Sequence, residues 1–304
     1  MLQISFFIIF LVAPALDWLR FDLHETQLWF LGDRWSLGID AFVRGELSAT
    51  GVALSIIVRG ILPVLAVAIA FLAIARRYGR LYCGWLCPHF SLVELLNDLL
   101  HRASGRFSVW EREAVVIGTR EPQRRYWPLF AASCVAFGFL WAITLLTYLL
   151  PPTEIWGGLI SGTLTPNQTR FLIIASAVFS LEFVFARHFF CRFGCAVGFF
   201  QSLVWMGNPK GMVVAWNDQM TRDCKSCSTV RSTAGASCDN TCPMRLRPRQ
   251  VKRMMFSCVQ CGRCVAECAE SAASRHATPP LEWRIGVDAL RESATHRRNG
   301  KAES

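Results

Sequence analysis

The sequence predicts a mostly α-helical membrane protein that carries a small, cysteine-rich α+β domain. Three observations support this fold class. The 304 residues are 53% hydrophobic, which is high for a soluble globular domain. The apolar residues are concentrated in blocks long enough to cross a bilayer. Eight of the 13 cysteines lie close together in the last third of the chain.

Four apolar blocks predict four transmembrane helices. They lie at Leu2–Trp18, Val52–Ala75, Pro128–Leu150 and Phe171–Ala186. A helix needs about 20 residues to span the hydrocarbon core, and all four blocks approach that length. The first block also fits a cleaved signal peptide, because Ala13-Pro14-Ala15 resembles a cleavage site. No Lys or Arg precedes that block, however, which favours a span.

The distribution of Lys and Arg predicts the topology. The loop Arg76–Trp127 carries nine Arg, and the tail from Arg187 carries 18 Lys plus Arg. The loop Asp17–Thr50 carries only three Arg against six acidic residues. Basic loops stay on the cytoplasmic side, so a bacterial inner-membrane protein with both termini in the cytoplasm is expected. The net charge of +10 then reflects contact with a lipid bilayer, and no nucleic-acid partner is expected.

Four cysteines in the tail form the run C-x2-C-x2-C-x3-C. They are Cys258, Cys261, Cys264 and Cys268. This spacing is typical of [4Fe–4S] ligation, in which the first three thiolates hold one cluster and the fourth holds its neighbour. A zinc site more often uses two separated C-x2-C pairs. A reducing cytoplasm would keep these thiols free to bind iron.

An upstream group of cysteines can supply the neighbouring cluster. Crossed ligation predicts one cluster on Cys224, Cys227, Cys238 and Cys268, and another on Cys258, Cys261, Cys264 and Cys242. The ten residues between Cys227 and Cys238 are an insertion, which we interpret as a surface loop. The alternatives for this upstream half are a zinc knuckle or an unligated remnant.

Two C-x3-C motifs form an internal repeat at the predicted membrane edge. Cys83 and Cys87 lie in RLYCGWLCPHF, and Cys191 and Cys195 lie in HFFCRFGCAVGFF. If each motif is helical, both sulfurs of a pair share one face, so a duplicated interfacial helix could bring four sulfurs together. They could hold a further cluster or a metal ion, or form two reactive dithiols. The structural alternative is packing in a tight turn.

Four ionisable residues near the membrane are further candidates. His89 and His188 could ligate a metal or bind a quinone head group. Arg59 and Glu182 lie inside predicted spans, where charged residues often mark proton or quinol sites. Glu182 or His89 is the expected proton acceptor for quinol oxidation.

These features divide the chain into three predicted regions. Residues 1–207 form a four-helix transmembrane domain with two C-x3-C motifs. Residues 208–276 form a ferredoxin-like domain with two [4Fe–4S] clusters, and residues 277–304 form a polar, partly disordered tail.

The motif layout resembles the membrane polyferredoxins of the NapH, NosR and CcoG type. The resemblance depends on Tyr82–Pro88, on Cys191 and Cys195, and on the eight tail cysteines. Arg20–Leu23 is similar to the CcoG branch, and no outer flavin domain of the NosR type is expected. The resemblance implies electron transfer from quinol or another donor to a respiratory or maturation partner.

The sequence therefore favours a membrane-bound electron carrier that takes electrons from the quinone pool and passes them to a redox partner protein. One alternative is a metal (copper) reductase for oxidase assembly that uses the C-x3-C motifs. A second is an iron–sulfur redox sensor, and a third is a zinc-stabilised scaffold.

Overall fold

The computed structural model describes residues 2–111, 116–117, 122–217, 230–231, 237–250, 252–273 and 276–290. The chain divides into two compact units. The first contains Gln3–Phe71 and Ser133–Glu182, and the second contains Leu72–Ala132 and Phe183–Ser304. The described residues are mostly helical, which confirms the coarse fold class.

The first unit opens with a helix and a small antiparallel sheet. Helix α1 (Leu2–Val12) precedes strands β1 (Leu19–Asp22), β2 (Gln27–Phe30) and β3 (Asp33–Trp35), which pair in chain order. Helix α2 (Ile39–Val43) follows.

A buried ion pair explains the conformation of β1 and the turn after it. Arg20 and Asp22 point inward, and Arg20 Nη1 donates to Asp22 Oδ2 at 2.7 Å. The other oxygen of Asp22 accepts the backbone amides of His24 and Glu25, which fixes the turn into β2.

In the part of the chain that the structure describes, three helices are long and apolar enough to cross a membrane. They are α3 (Ala49–Tyr78), α6 (Tyr126–Leu149) and α8 (Pro166–Phe185). The predicted count of four spans is not confirmed, because α1 has only 11 residues. The pair Arg187–Gly194 and Ala196–Met206 passes the same test only as one span bent by 54°.

The helix α3 contains a π-helical segment at Ile56–Ile61, which includes Arg59. The indole of Trp35 donates to the carbonyl of Arg59 at 2.9 Å. The Arg59 guanidinium donates to the carbonyl of Ser36 at 3.3 Å. The charged residue in this span is therefore bonded to the segment that follows β3, and Trp35 satisfies a carbonyl that the wider helix exposes.

Glycine and proline set the limits of the shorter helices. Helix α7 (Pro152–Ser161), in the first unit, starts with proline at its N-terminal turn and ends at left-handed Gly162. In the second unit, α4 (Leu81–Trp85) is followed by α5 (Pro88–Ser104), which has the same two signals at Pro88 and Gly105.

The second unit also contains the second C-x3-C segment and the tail. Helix α9 (Arg187–Gly194) leads into α10 (Ala196–Met206). Further helical segments in the described part of this unit are α11 (Ser237–Asn240), a 3-10 turn at Lys252–Met255 and α12 (Arg263–Ala273).

Two short sheets lie in the described part of the second unit. Strand β4 (Val116–Ile117) pairs with β6 (Val230–Arg231), and β5 (Val213–Trp216) pairs with β7 (Leu281–Arg284). All four residues of β5 are buried. The second sheet extends past the predicted end of the ferredoxin-like domain at residue 276, while the three-region division itself stays a prediction.

Candidate iron–sulfur site

Four cysteines of the tail line one small cavity in the second unit. They are Cys242, Cys258, Cys261 and Cys264, and the remaining lining residues are apolar or glycine. The sequence assigns the same four to one cluster, although they come from segments up to 22 residues apart. The cavity has the donor set that a [4Fe–4S] cluster requires, with no acidic or histidine side chain among its lining residues.

Two left-handed residues shape the loop that presents three of these cysteines. Gln260 has φ of 50° and Gly262 has φ of 80°. Gln260 precedes Cys261 and Gly262 follows it, so the backbone reverses direction between consecutive ligands. The loop then enters α12, which positions Cys264 in its first turn. Glycine adopts the conformation at residue 262 without steric cost.

Burial keeps these four thiols protonated when no iron is bound. It raises the pKa of Cys258 to about 12 and that of Cys261 to about 11. Burial also raises the pKa values of Cys242 and Cys264. Backbone amides oppose the effect, and the amide of Leu246 donates to Cys242 Sγ at 3.4 Å. Such amides stabilise metal-bound thiolates and tune cluster potentials.

Cluster loading should therefore depend on pH. Each thiol loses its proton to bind iron, so reconstitution of cluster-free protein should release protons and accelerate between about pH 7 and pH 9. Without iron, the raised pKa values reduce the free energy of unfolding only above about pH 9, where the unfolded chain ionises first. Initial reconstitution rates, followed by visible absorbance, test this. A rate independent of pH would contradict it, with circular dichroism as the control for folding.

Two of the four predicted ligands of the other cluster lie among the described residues. Cys238 and Cys268 are buried and share an apolar cluster with Val214, Trp216 and Leu281. Cys264 belongs to the same cluster, so the two cysteine groups adjoin within the second unit. Cys224 and Cys227 lie outside the described residues, and their assignment stays a prediction.

The first C-x3-C segment packs directly on the loop that presents the cysteines. A Cβ added to Gly84 would lie 2.2 Å from the carbonyl oxygen of Val259, so only glycine fits there. The indole of Trp85 donates to the carbonyl of Gln260 at 2.9 Å. The amide of Arg80 donates to the Gln260 side chain at 3.1 Å. The first C-x3-C segment and the cysteine loop thus form one packed site.

The second cysteines of the two C-x3-C motifs adopt the same local conformation. Cys87 and Cys195 each stand at the N-cap of the following helix, with φ/ψ of −80°/116° and −84°/109°. Our expectation of one helix carrying both cysteines of a motif is wrong, because α4 ends at Trp85. Pro88 disfavours a helical conformation at the residue before it, so Cys87 is extended and a new helix starts.

The first cysteines of the two motifs are buried in one core. Cys83 and Cys191 are both in the apolar cluster that Cys242, Cys258 and Cys261 border. The Cys83 thiol donates to Gln201 Oε1 at 3.3 Å. Burial raises the pKa of Cys83, and it raises that of Cys87 to about 11.

Cys87 packs against the same apolar cluster, so cysteines of the two motifs are neighbours. Within the described ranges, no three His, Cys, Asp or Glu side chains converge closely enough for a single metal ion. Iron–sulfur clusters spread their ligands over several iron atoms and do not require that convergence.

The two histidines occupy different environments. The His89 ring packs against Phe183 and Phe190, with ring centroids 5.7 and 5.4 Å away. His188 Nε2 lies 2.6 Å from Glu94 Oε1, and Glu94 also forms an ion pair with Arg263. Neither arrangement resembles a metal-ligand set.

Sequence reasoning missed several residues that build this site. Glu94 and Arg80 are nearly fully buried, and Gln260 bridges the C-x3-C segment and the cysteine loop. The glycine at position 84, between two cysteines, is the one feature of the sequence that could have indicated close approach of another backbone segment. Nothing in the local pattern marks Arg80 as buried.

Comparison with known proteins supports the iron–sulfur interpretation. The family described as "4Fe-4S binding domain" matches residues 60–106 and 168–210, which contain the two C-x3-C motifs. "Putative electron transport protein YccM" of Escherichia coli (strain K12) is 24% identical over 208 residues, covering 66% of this chain. The chain spans about half the length of that curated relative, with 52% of it covered.

No solved structure matches the chain. The family match falls on both copies of the repeat and leaves the tail cysteines uncovered. The two matches support an iron–sulfur electron-transport protein, while a specific relation to the NapH, NosR or CcoG type is not confirmed.

Proposed function

We propose that this protein is a membrane-bound electron carrier that takes electrons from quinol and passes them through two [4Fe–4S] clusters to a respiratory or maturation partner. The observation that carries the proposal is the cavity of four cysteines packed against the first C-x3-C motif. Clusters held there would supply one-electron transfer. The protein's own contribution is to bury the ligands, exclude water and position the donor.

A second cavity supports quinol as the donor. It has a volume of about 620 Å³ and lies in the second unit. Its aromatic lining includes Phe107, Trp110 and Phe189, which suits an apolar ring and tail. Pro243 and Met244 also line it, and they directly follow Cys242. A quinol bound here would lie close to the ligand loop of one cluster.

His188 is the proton acceptor that this cavity offers. It lines the cavity, and Asn97 Nδ2 donates to its Nδ1 at 2.7 Å. Nε2 then carries the proton and donates to Glu94. Burial opposes ionisation of Glu94, but His188 and Arg263 hold its pKa below the usual range. When Nδ1 accepts a proton from quinol, it loses the hydrogen bond from Asn97 and the ring becomes an imidazolium. The negative charge of Glu94 then balances the positive charge of that ring.

This assignment replaces the two acceptors expected from sequence. Neither Glu182 nor His89 is among the residues that line the cavity. The second unit, with its cysteines, is proposed to face the cytoplasm of a bacterial inner membrane, as the distribution of basic residues predicts.

Anaerobic purification of the full chain tests the proposal. Iron and sulfide counts and electron paramagnetic resonance should detect [4Fe–4S] clusters, and a reduced quinol analogue should reduce them. Clusters that dithionite reduces but quinol does not would remove the quinol step and keep the carrier. Copper binding that is lost in Cys83→Ala and Cys191→Ala proteins would favour a metal reductase instead.

Replacement of one buried cysteine should remove part of the iron. Cys264→Ser is expected to lower iron and sulfide content by about half, because it removes a ligand from one of two clusters. Cys134→Ser is the matched control, since Cys134 is also buried but lies in span α6. Unchanged iron in Cys264→Ser protein would contradict the assignment.

A further inference from the structure

Arg80 is a buried cation that contacts both C-x3-C motifs and the cysteine loop. Only 1% of the Arg80 surface is exposed to solvent. Its Nη2 donates to the carbonyl of Cys191 at 2.7 Å, and its own carbonyl accepts the amide of Gly84, within the first motif, at 3.3 Å. Its backbone amide donates to Gln260 in the loop.

The charge of Arg80 has no carboxylate partner among the described residues. The cations of the ion pairs among these residues are other arginines, His24 and His188. Arg80 Nε, in addition, has no hydrogen-bond partner. An uncompensated buried charge is strongly unfavourable. The groups that can balance it are the surrounding cysteines, once they are thiolates. Its charge favours the thiolate forms of Cys83 and Cys258, against the effect of burial.

The fold reserves space for this guanidinium. A Cβ added to Gly198 in α10 would lie 1.9 Å from Arg80 Nη2. Glycine at this position of the second motif therefore allows an arginine from the first motif to enter the core. The contact is with the end of a flexible side chain, so a methyl group there would displace the guanidinium with little backbone change.

We propose that Arg80 is a counter-cation shared by the C-x3-C cysteines and by the four cysteines of the cavity. It stabilises the reduced state of the centre held by Cys258, Cys261, Cys264 and Cys242. The inference rests on the proposed function. An electron added to that centre increases its negative charge, and a fixed positive charge in a buried, low-dielectric site lowers the free energy of the reduced form. Arg80 is thus a positioning residue that sets a potential without taking part in electron or proton transfer.

A redox titration of the loaded, full-length protein, monitored by electron paramagnetic resonance, tests the inference. Arg80→Gln should lower the equilibrium constant for reduction of the centre at least about tenfold. This corresponds to a fall in midpoint potential of about 59 mV for one electron. Arg80→Lys keeps the charge and should shift the midpoint less. Arg76→Gln is the matched control, because it removes the same charge from an exposed position four residues earlier and should leave the midpoint unchanged.

Gly198→Ala provides a second variant in case Arg80→Gln does not load iron. It keeps the net charge and displaces the guanidinium, so the midpoint should again fall. An unchanged midpoint in an iron-replete Arg80→Gln or Gly198→Ala protein overturns the inference, as does an equal shift in Arg76→Gln. Absence of iron from wild-type protein overturns both proposals, whereas failure of quinol alone to reduce the centre leaves the role of Arg80 standing.

Discussion

Alanine at position 84 is expected to abolish cluster loading in the cavity lined by Cys258, Cys261 and Cys264. The added Cβ would lie 2.2 Å from the Val259 carbonyl oxygen and 3.1 Å from the Cys261 amide nitrogen. Both are backbone atoms that cannot rotate away, so the helix and the loop must separate. We expect a loss of about 3 kcal/mol or more of stability, at the upper end for overpacking.

Iron content and visible absorbance of the anaerobically purified protein measure this effect. Gly157→Ala is the matched control, because Gly157 also lies in a short helix and its added Cβ would meet nothing within 4 Å. That variant should load normally. Full loading of Gly84→Ala protein would mean that the C-x3-C segment does not pack on the loop as described.

Replacing His188 by glutamine is expected to slow quinol-dependent reduction of the clusters about 100-fold, the usual range for loss of a general base. Glutamine can keep a hydrogen bond to Glu94 but cannot accept a proton at neutral pH. Reduction by dithionite needs no proton acceptor in the cavity and should be unaffected. Stopped-flow mixing with a reduced quinol analogue, followed at the cluster absorbance, separates the two rates.

His89→Gln is the control for this prediction. It makes the same substitution in an imidazole that packs between Phe183 and Phe190 and is not among the residues lining the proposed quinol cavity. Its quinol-dependent rate should stay within about threefold of wild type. Equal losses in both variants, or loss of iron from His188→Gln protein, would indicate a structural role for His188.

The sequence predicted the chemistry of this protein better than its geometry. Thiol spacing along the chain is a local property, so the tail run and the two C-x3-C motifs could be recognised directly. Apolar block length likewise indicated the spans α3, α6 and α8, because a bilayer imposes a minimum length on any helix. The first block was less informative, and it forms a helix of only 11 residues.

The first C-x3-C motif is not helical throughout, for a local reason that the sequence already contained. Pro88 restricts Cys87 to an extended conformation, and this effect outweighs the helical spacing of the two cysteines. The second motif adopts the same conformation without a proline after Cys195. There the cause is not visible in neighbouring residues.

By itself, the sequence supplied the candidate iron ligands, the apolar blocks long enough to span a membrane, and the two C-x3-C motifs. The tertiary structure alone decided that Gly84 and Gly198 leave space for a loop and a guanidinium, that Arg80 is buried among thiols, and that His188 pairs with Glu94. Ligand type and hydrophobic length are encoded in short segments, whereas close approach and burial arise between residues about 90 to 180 positions apart. Such contacts follow from packing, which local patterns do not specify.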